Sequence, residues 1–128
     1  MGQLADEPQA DQSAWAAFLA TYLSELHRDN PAHGCAAAAL VTDSARAEPG
    51  TPVRTAFTAG LRDLVEGVQQ LNESLNDNDT DRGTALAELS TLVGAVLLAR
   101  ASDDAALSRD ILDAAHHYLS SGTADSPA

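Results

Sequence analysis

Apolar side chains return every three or four positions along most of this chain, and no stretch alternates at a period of two. That spacing gathers them on one side of a helix, so the fold expected is all-helical. The first stripe holds Trp15, Phe18, Leu19, Tyr22, Leu23 and Leu26, among them three of the five aromatic residues. "HRDNP" closes it, because the residue before a proline is pushed out of helical geometry. A short helix, "CAAAALVTDSARA", runs up to "EPG". "TPVRTAF" opens the third, with Thr51 placed as N-cap and Pro52 at the first helical position. Its stripe is Val53, Phe57, Leu61, Leu64, Val68, Leu71 and Leu75. Gly60 and Gly67 lie inside it at about 1 kcal/mol each against alanine, which suggests close packing or a flexible wall there.

"NDNDTDRG" is a loop, "TALAELSTLVGAVLLARA" a fourth helix, and "SDD" a tight connection in which Ser102 or Asp103 can cap the fifth. That last helix, "AALSRDILDAAHHYL", ends near Ser120. Short connections favour antiparallel neighbours. The expectation is therefore a bundle of about five antiparallel helices over residues 12–120. Residues 1–11 read as a flexible tail or linker stub, and 121–128 as a disordered tail.

The fourth helix is apolar on two sides. Leu86, Leu89, Val93, Val96 and Leu97 make one face, expected to meet the domain's own core. Ala87, Thr91, Gly94, Leu98 and Ala101 make a second seam of mostly small residues at heptad steps. A helix apolar on two faces needs cover on both. The simplest cover for the second is the same helix of a second copy across a two-fold axis. The fifth helix is read the same way, with Leu107, Ile111, Ala114 and Tyr118 turned inward. Ser108, Leu112, Ala115 and Leu119 join the intermolecular contact. The expected assembly is a homodimer held by a four-helix bundle.

Charge narrows the partners. Nineteen acidic residues face seven arginines and no lysine, a formal net charge of −12. Such a surface repels phosphate backbones, since nucleic-acid affinity comes largely from basic groups. No direct nucleic-acid binding is expected of this chain. One cysteine excludes an internal disulfide and a thiolate-cluster metal site. The start, "MGQLADEPQADQ", has neither the basic region nor the apolar run of a signal peptide. "LVGAVLLA" is much shorter than the ~20 residues of a membrane span. The chain reads as soluble, cytoplasmic and free of membrane contact.

The runs "HRDNPAHGC", "AAL", "SAR", "VRTAFTAGL" and "ALAELSTLVGAVLLARASDDAALSRDIL", in that order, resemble the C-terminal regulatory domain of TetR/AcrR-type transcriptional repressors. The resemblance covers roughly Asp11 to Leu119. It implies a homodimer with a small-molecule pocket inside each helical domain, the last two helices forming the dimer bundle. It also implies that effector binding shifts helices and releases DNA held by a helix-turn-helix head. No part of this sequence fits that head: the stretch before Trp15 is short and acidic. The chain is thus expected to be a severed regulatory domain or a short relative that senses and dimerises without touching DNA.

A pocket is expected where Trp15, Phe18 and Tyr22 of the first helix face Ala39 of the second and Phe57, Leu61 and Leu64 of the third. Small residues at Ala36 to Ala39 leave room between these walls, and ligand cavities are mostly apolar with a few polar groups. Tyr22, Thr42, Arg54 and Thr58 are candidates for those groups, and a small apolar or aromatic molecule is the expected effector. Cys35 follows Gly34 at a helix start, where the positive end of the helix dipole favours thiolate. Two readings stand for it: a redox or electrophile sensor, or a small apolar residue lining the pocket. His27 is placed to contact a helix C-terminus. His116 and His117 are adjacent and point apart, so they do not chelate one metal on a helix. No catalytic residues, metal site or other cofactor are expected. The competing class is a helical interaction module without a ligand, pairing with itself or with full-length relatives.

Overall fold

The computed structural model describes residues 10–30, 36–76 and 81–121. Among them are six helices and no strand: α1 (Ala10–Tyr22), α2 (Glu25–Asp29), α3 (Ala36–Arg46), α4 (Pro52–Asn76), α5 (Arg82–Ala101) and α6 (Ala105–Ser121). The all-helical bundle expected from periodicity is the fold. The residues read as terminal tails lie outside the described set, apart from Ala10, Asp11 and Ser121, which are helical.

The first stripe is broken into two helices. The Ser24 hydroxyl accepts from the His27 backbone N–H at 3.1 Å and donates to the Thr21 carbonyl at 2.7 Å. It thereby starts a new helix one residue after the old one frays. Between α3 and α4, Pro49 and Gly50 form a turn closed by Thr51 N–H to the Glu48 carbonyl. Gly50 sits at φ +86°, the third turn position that a side chain resists and glycine accepts. The Thr51 carbonyl takes the first bond of α4, from Thr55, while its hydroxyl donates to Glu48 instead of capping. Asp104, not Ser102 or Asp103, caps α6: its carboxylate accepts from the backbone N–H groups of Ala106 and Leu107.

Helix α5 is the spine, with α6, α4, α2 and α3 around it, and α1 closes the bundle against α4 and α6. Leu19, Leu92 and Val96 are fully enclosed, with Val65, Leu112 and Leu119 beside them. Each enclosed leucine stabilises the fold by roughly 1.5–3 kcal/mol. By length and composition α5 is apolar enough to cross a membrane, at a mean hydropathy of 1.4 over a helix much longer than "LVGAVLLA". The same property belongs to core helices of bundles. Here Ala85, Glu88, Leu89, Leu92, Ala95, Val96 and Ala99 form its buried side.

That buried side is rotated from the expected one. Leu86 is 43 % exposed, and Val93 and Leu97 are only partly covered. On α6 the two arcs exchange places. Ser108, Leu112, Ala115 and Leu119, expected at a dimer contact, are buried within the single chain, while Leu107 and Tyr118 are 50 % and 64 % exposed. The cause is close approach: Ser108 Oγ donates to the Ala99 carbonyl at 2.8 Å, and alanines at 95, 99 and 115 let the two helices come near. A large side chain at the Ser108 position would push them apart. The α5 seam of Ala87, Thr91, Gly94, Leu98 and Ala101 stays uncovered or half-covered by the chain.

Candidate effector cavity

Helix α1 turns two neighbouring arcs to two different environments. Trp15 and Leu19 enter the closed core. Phe18, Thr21 and Tyr22 border a half-enclosed cavity of about 810 Å³. Opposite stands the N-terminal half of α4, where Val53, Ala56, Phe57, Gly60, Leu61 and Leu64 follow one another at helical spacing. Val68 and Leu89 close the floor against the core, Leu40 of α3 stands at the rim, and Ser24, Leu26, His27 and Asn30 bring one polar edge. The rim is exposed: Leu26, Leu40 and Val53 are 75 %, 42 % and 45 % accessible.

Of the residues expected at a pocket, Phe18, Tyr22, Phe57, Leu61 and Leu64 are brought together around this cavity. Trp15 is not on its wall. It is 5 % exposed, and its indole N–H donates to the Leu119 carbonyl at 3.4 Å, which ties α1 to the end of α6. A buried indole N–H needs such a partner. Ala39 is exposed and off the wall. Cys35 lies outside the described residues. The polar candidates of α3 and α4 serve the backbone instead. Arg54 donates to the Ala47 carbonyl at 2.7 Å, Thr58 to the Arg54 carbonyl at 2.9 Å, and Thr42 faces solvent. Gly60 and Gly67 have no heavy atom within 4 Å of a built Cβ, so close packing is not their reason.

The polar edge comes from the α1–α2 junction, which the periodicity did not distinguish from the rest of one helix. His27 holds it. Its Nδ1 lies 2.6 Å from the Tyr22 carbonyl, the last of α1, and a carbonyl only accepts, so Nδ1 carries the proton. The expected contact of His27 with a helix C-terminus is this one. The ring also meets Tyr22 edge-on, at 4.6 Å between centroids. Phe18 and Tyr22 are 5.7 Å apart, and Trp15 and Phe18 5.8 Å, so an aromatic ladder runs from the core into the cavity.

Among the described residues, no acidic, lysine or arginine side chain lines the cavity. A charged guest would leave water without a counter-charge, which costs several kcal/mol. The chemistry suits an uncharged, largely apolar guest with one polar end toward residues 21–30. Among the described residues no group of three or more His, Cys, Asp or Glu side chains is placed to hold a metal ion. The chain matches no family profile, no curated protein and no solved structure in the comparisons made with each.

Proposed function

We propose that this chain is an effector-sensing and dimerisation domain similar to the regulatory half of a TetR-type repressor. It takes up a small, uncharged, apolar or aromatic molecule in the cytoplasm. The observation that supports this most is the cavity itself. A bundle of this size ordinarily fills its interior to near-crystal density. This one keeps about 810 Å³ beside a filled core and lines it with aromatic and aliphatic side chains.

The pairing surface in this reading differs from the one the sequence suggested on α6. The seam of Ala87, Thr91, Gly94, Leu98 and Ala101 on α5 is retained. Leu107, Ile111, Ala114 and Tyr118 replace the buried α6 arc. The Ser108–Ala99 bond sets the antiparallel register. Leu107 then stands near the height of Ala101, Ile111 between Gly94 and Leu98, and Tyr118 between Ala87 and Thr91. Small residues on one helix beside larger ones on the next form a strip that a two-fold copy can interlock with.

The test uses N-phenyl-1-naphthylamine, a neutral aromatic fluorophore. It should bind once per chain with enhanced emission, and Leu61→Glu should abolish the binding while leaving the helical circular dichroism intact. An absence of saturable binding, or binding indifferent to Leu61→Glu, removes the effector site and leaves the ligand-free interaction module. Light scattering tests the pairing. Wild type should run at twice 13.3 kDa and Gly94→Glu at half that mass; monomers in both cases end the dimer.

A further inference from the structure

Helix α2 buries none of its own residues, so apolar packing does not hold it in place. What holds it is polar and comes from α5, which it packs against, and from α6. Arg100, in the last turn of α5, donates from Nε to the Arg28 carbonyl and from Nη2 to the His27 carbonyl, both at 2.9 Å. Those carbonyls end α2, where the helix ladder runs out of donors; the His27 carbonyl also takes the Asn30 backbone N–H at 3.3 Å, and Arg100 supplies the donor at the Arg28 carbonyl. Arg28 donates from Nη1 to Ser108 Oγ at 2.9 Å, and the Ser108 hydroxyl donates in turn to the Ala99 carbonyl. Arg109 of α6 pairs with Glu25 at 2.8 Å. Arg28, Arg100 and Ser108, with Asp29, Ser102 and Asp103, line a polar hollow of about 440 Å³ between α2 and the α5–α6 turn. The opposite side of the same short segment, Ser24, Leu26, His27 and Asn30, is the cavity's polar edge.

We infer that α2 is a movable wall and Arg100 the positioning residue that ties it to the α5–α6 turn, so that occupancy of the cavity is transmitted to the outer surface of those two helices. Arg100 touches no part of the cavity. Its effect on a guest passes through two carbonyls that move with the wall. A guest resting on Leu26 or His27 shifts α2, the shift loads Arg100 and the Arg28–Ser108 link, and both end where α5 turns into α6. Linkage makes the effect reciprocal: whatever fixes the turn also fixes the wall. The transmission of a guest's presence rests on the effector-site reading above, whereas the hold of Arg100 on α2 does not.

Hydrogen exchange of residues 98–110 in the full chain tests it, with and without saturating N-phenyl-1-naphthylamine. In wild type the probe should change exchange there by at least about fivefold, the low end of ordinary couplings between sites. In Arg100→Gln the response should vanish although the probe still binds. Arg100→Lys, which keeps the charge but offers one donor nitrogen in place of the two that reach the carbonyls, should retain part of it. An equal response in Arg100→Gln, or none in wild type with the probe bound, overturns the inference. Failure of the probe to bind sinks the effector-site reading and leaves the wall to be judged without a guest. Phe57→Ala, which enlarges the cavity from α4, must then alter exchange at 98–110 in wild type and not beside Arg100→Gln. No such difference disposes of the relay as well.

Discussion

The two ends of the α1–α4 pair carry the same kind of apolar stripe and reach opposite outcomes. At one end Trp15, Leu19, Val65 and Val68 are at most 5 % exposed, in one core cluster with Leu92 and Val96 of α5 and Leu112 and Leu119 of α6. At the other end Phe18, Phe57, Leu61 and Leu64 remain half-covered around empty space. The difference lies in what faces them. The hollow end is roofed by α2, which buries nothing, and by α3, whose buried apolar contribution among the described residues is Ala38. Leu26 and Leu40, large enough to fill the space, stand largely out of it at the rim. An apolar stripe thus states that cover is needed, while the size and reach of the opposing residues decide whether a core or a cavity results.

The contrast can be broken most forcefully by truncating one leucine at each end. Leu92→Ala, at a fully enclosed site, should lower stability by about 2–5 kcal/mol, since a filled neighbourhood leaves a new void behind. Leu61→Ala removes the same atoms beside space that is already open. Its cost should be about 1 kcal/mol, because the cavity contribution is small there. Urea denaturation of both variants measures the difference. Equal losses would show that the hollow end closes up in solution, and the cavity with it.

The same contrast explains what was legible in the sequence. Helical periodicity placed the five long helices, and the aromatic and leucine positions of α1 and α4 gave five residues of the cavity wall. The wall's polar edge was hidden because Ser24 starts α2 with a cap that a three- and four-residue repeat passes over. Trp15 was misplaced because its partner, the Leu119 carbonyl, is a hundred residues away and backbone groups leave no trace in a pattern of side chains. On α6 the larger arc looked like the inward one. The helices are instead brought together by small residues, and a serine hydroxyl at the contact point decides which arc goes in. Size ranks burial only when nothing smaller permits a closer approach.

Two glycines sharpen the comparison by a smaller amount. Gly67 is exposed on α4 with open space where a Cβ would stand. Gly67→Ala should therefore stabilise the chain by about 0.5–1 kcal/mol through the lost freedom of the unfolded backbone. Gly94 on the α5 seam has the same open space within one chain. If the seam is wet, Gly94→Ala gains the same amount. If a second copy presses on it, the added methyl enters the contact, and the gain shrinks or reverses as protein concentration rises. Thermal melts of both variants at low and high concentration tell the two apart, with Gly67→Ala as the concentration-independent reference.

The smallest effect is expected from acid, and it too falls on the hollow end. Asp29 closes α2 and receives a two-pronged bond from Arg28, Nε to Oδ1 at 2.8 Å and Nη2 to Oδ2 at 3.0 Å. That hydrogen bond, helped by the attraction of the guanidinium and opposed by partial desolvation, holds the Asp29 carboxyl below the usual aspartate range. A depressed folded value means that the unfolded chain takes up the proton first. The stabilisation is therefore complete above the ordinary aspartate range and drains away as pH falls from there through the folded value. Protonation frees Arg28 to reorient at Ser108 and loosens α2, while Trp15 and Leu19 in the filled end feel nothing directly. Carboxyl NMR should show Asp29 titrating below the ordinary aspartate value, and Asp29→Asn should erase the acid-side change in exchange at residues 24–30. Because both partners reach solvent, added salt should weaken the effect, as it does for exposed ion pairs generally. A midpoint for Asp29 at the ordinary aspartate value would mean that Arg28 does not grip it in solution, and that α2 is held by Arg100 and the Arg109–Glu25 pair instead.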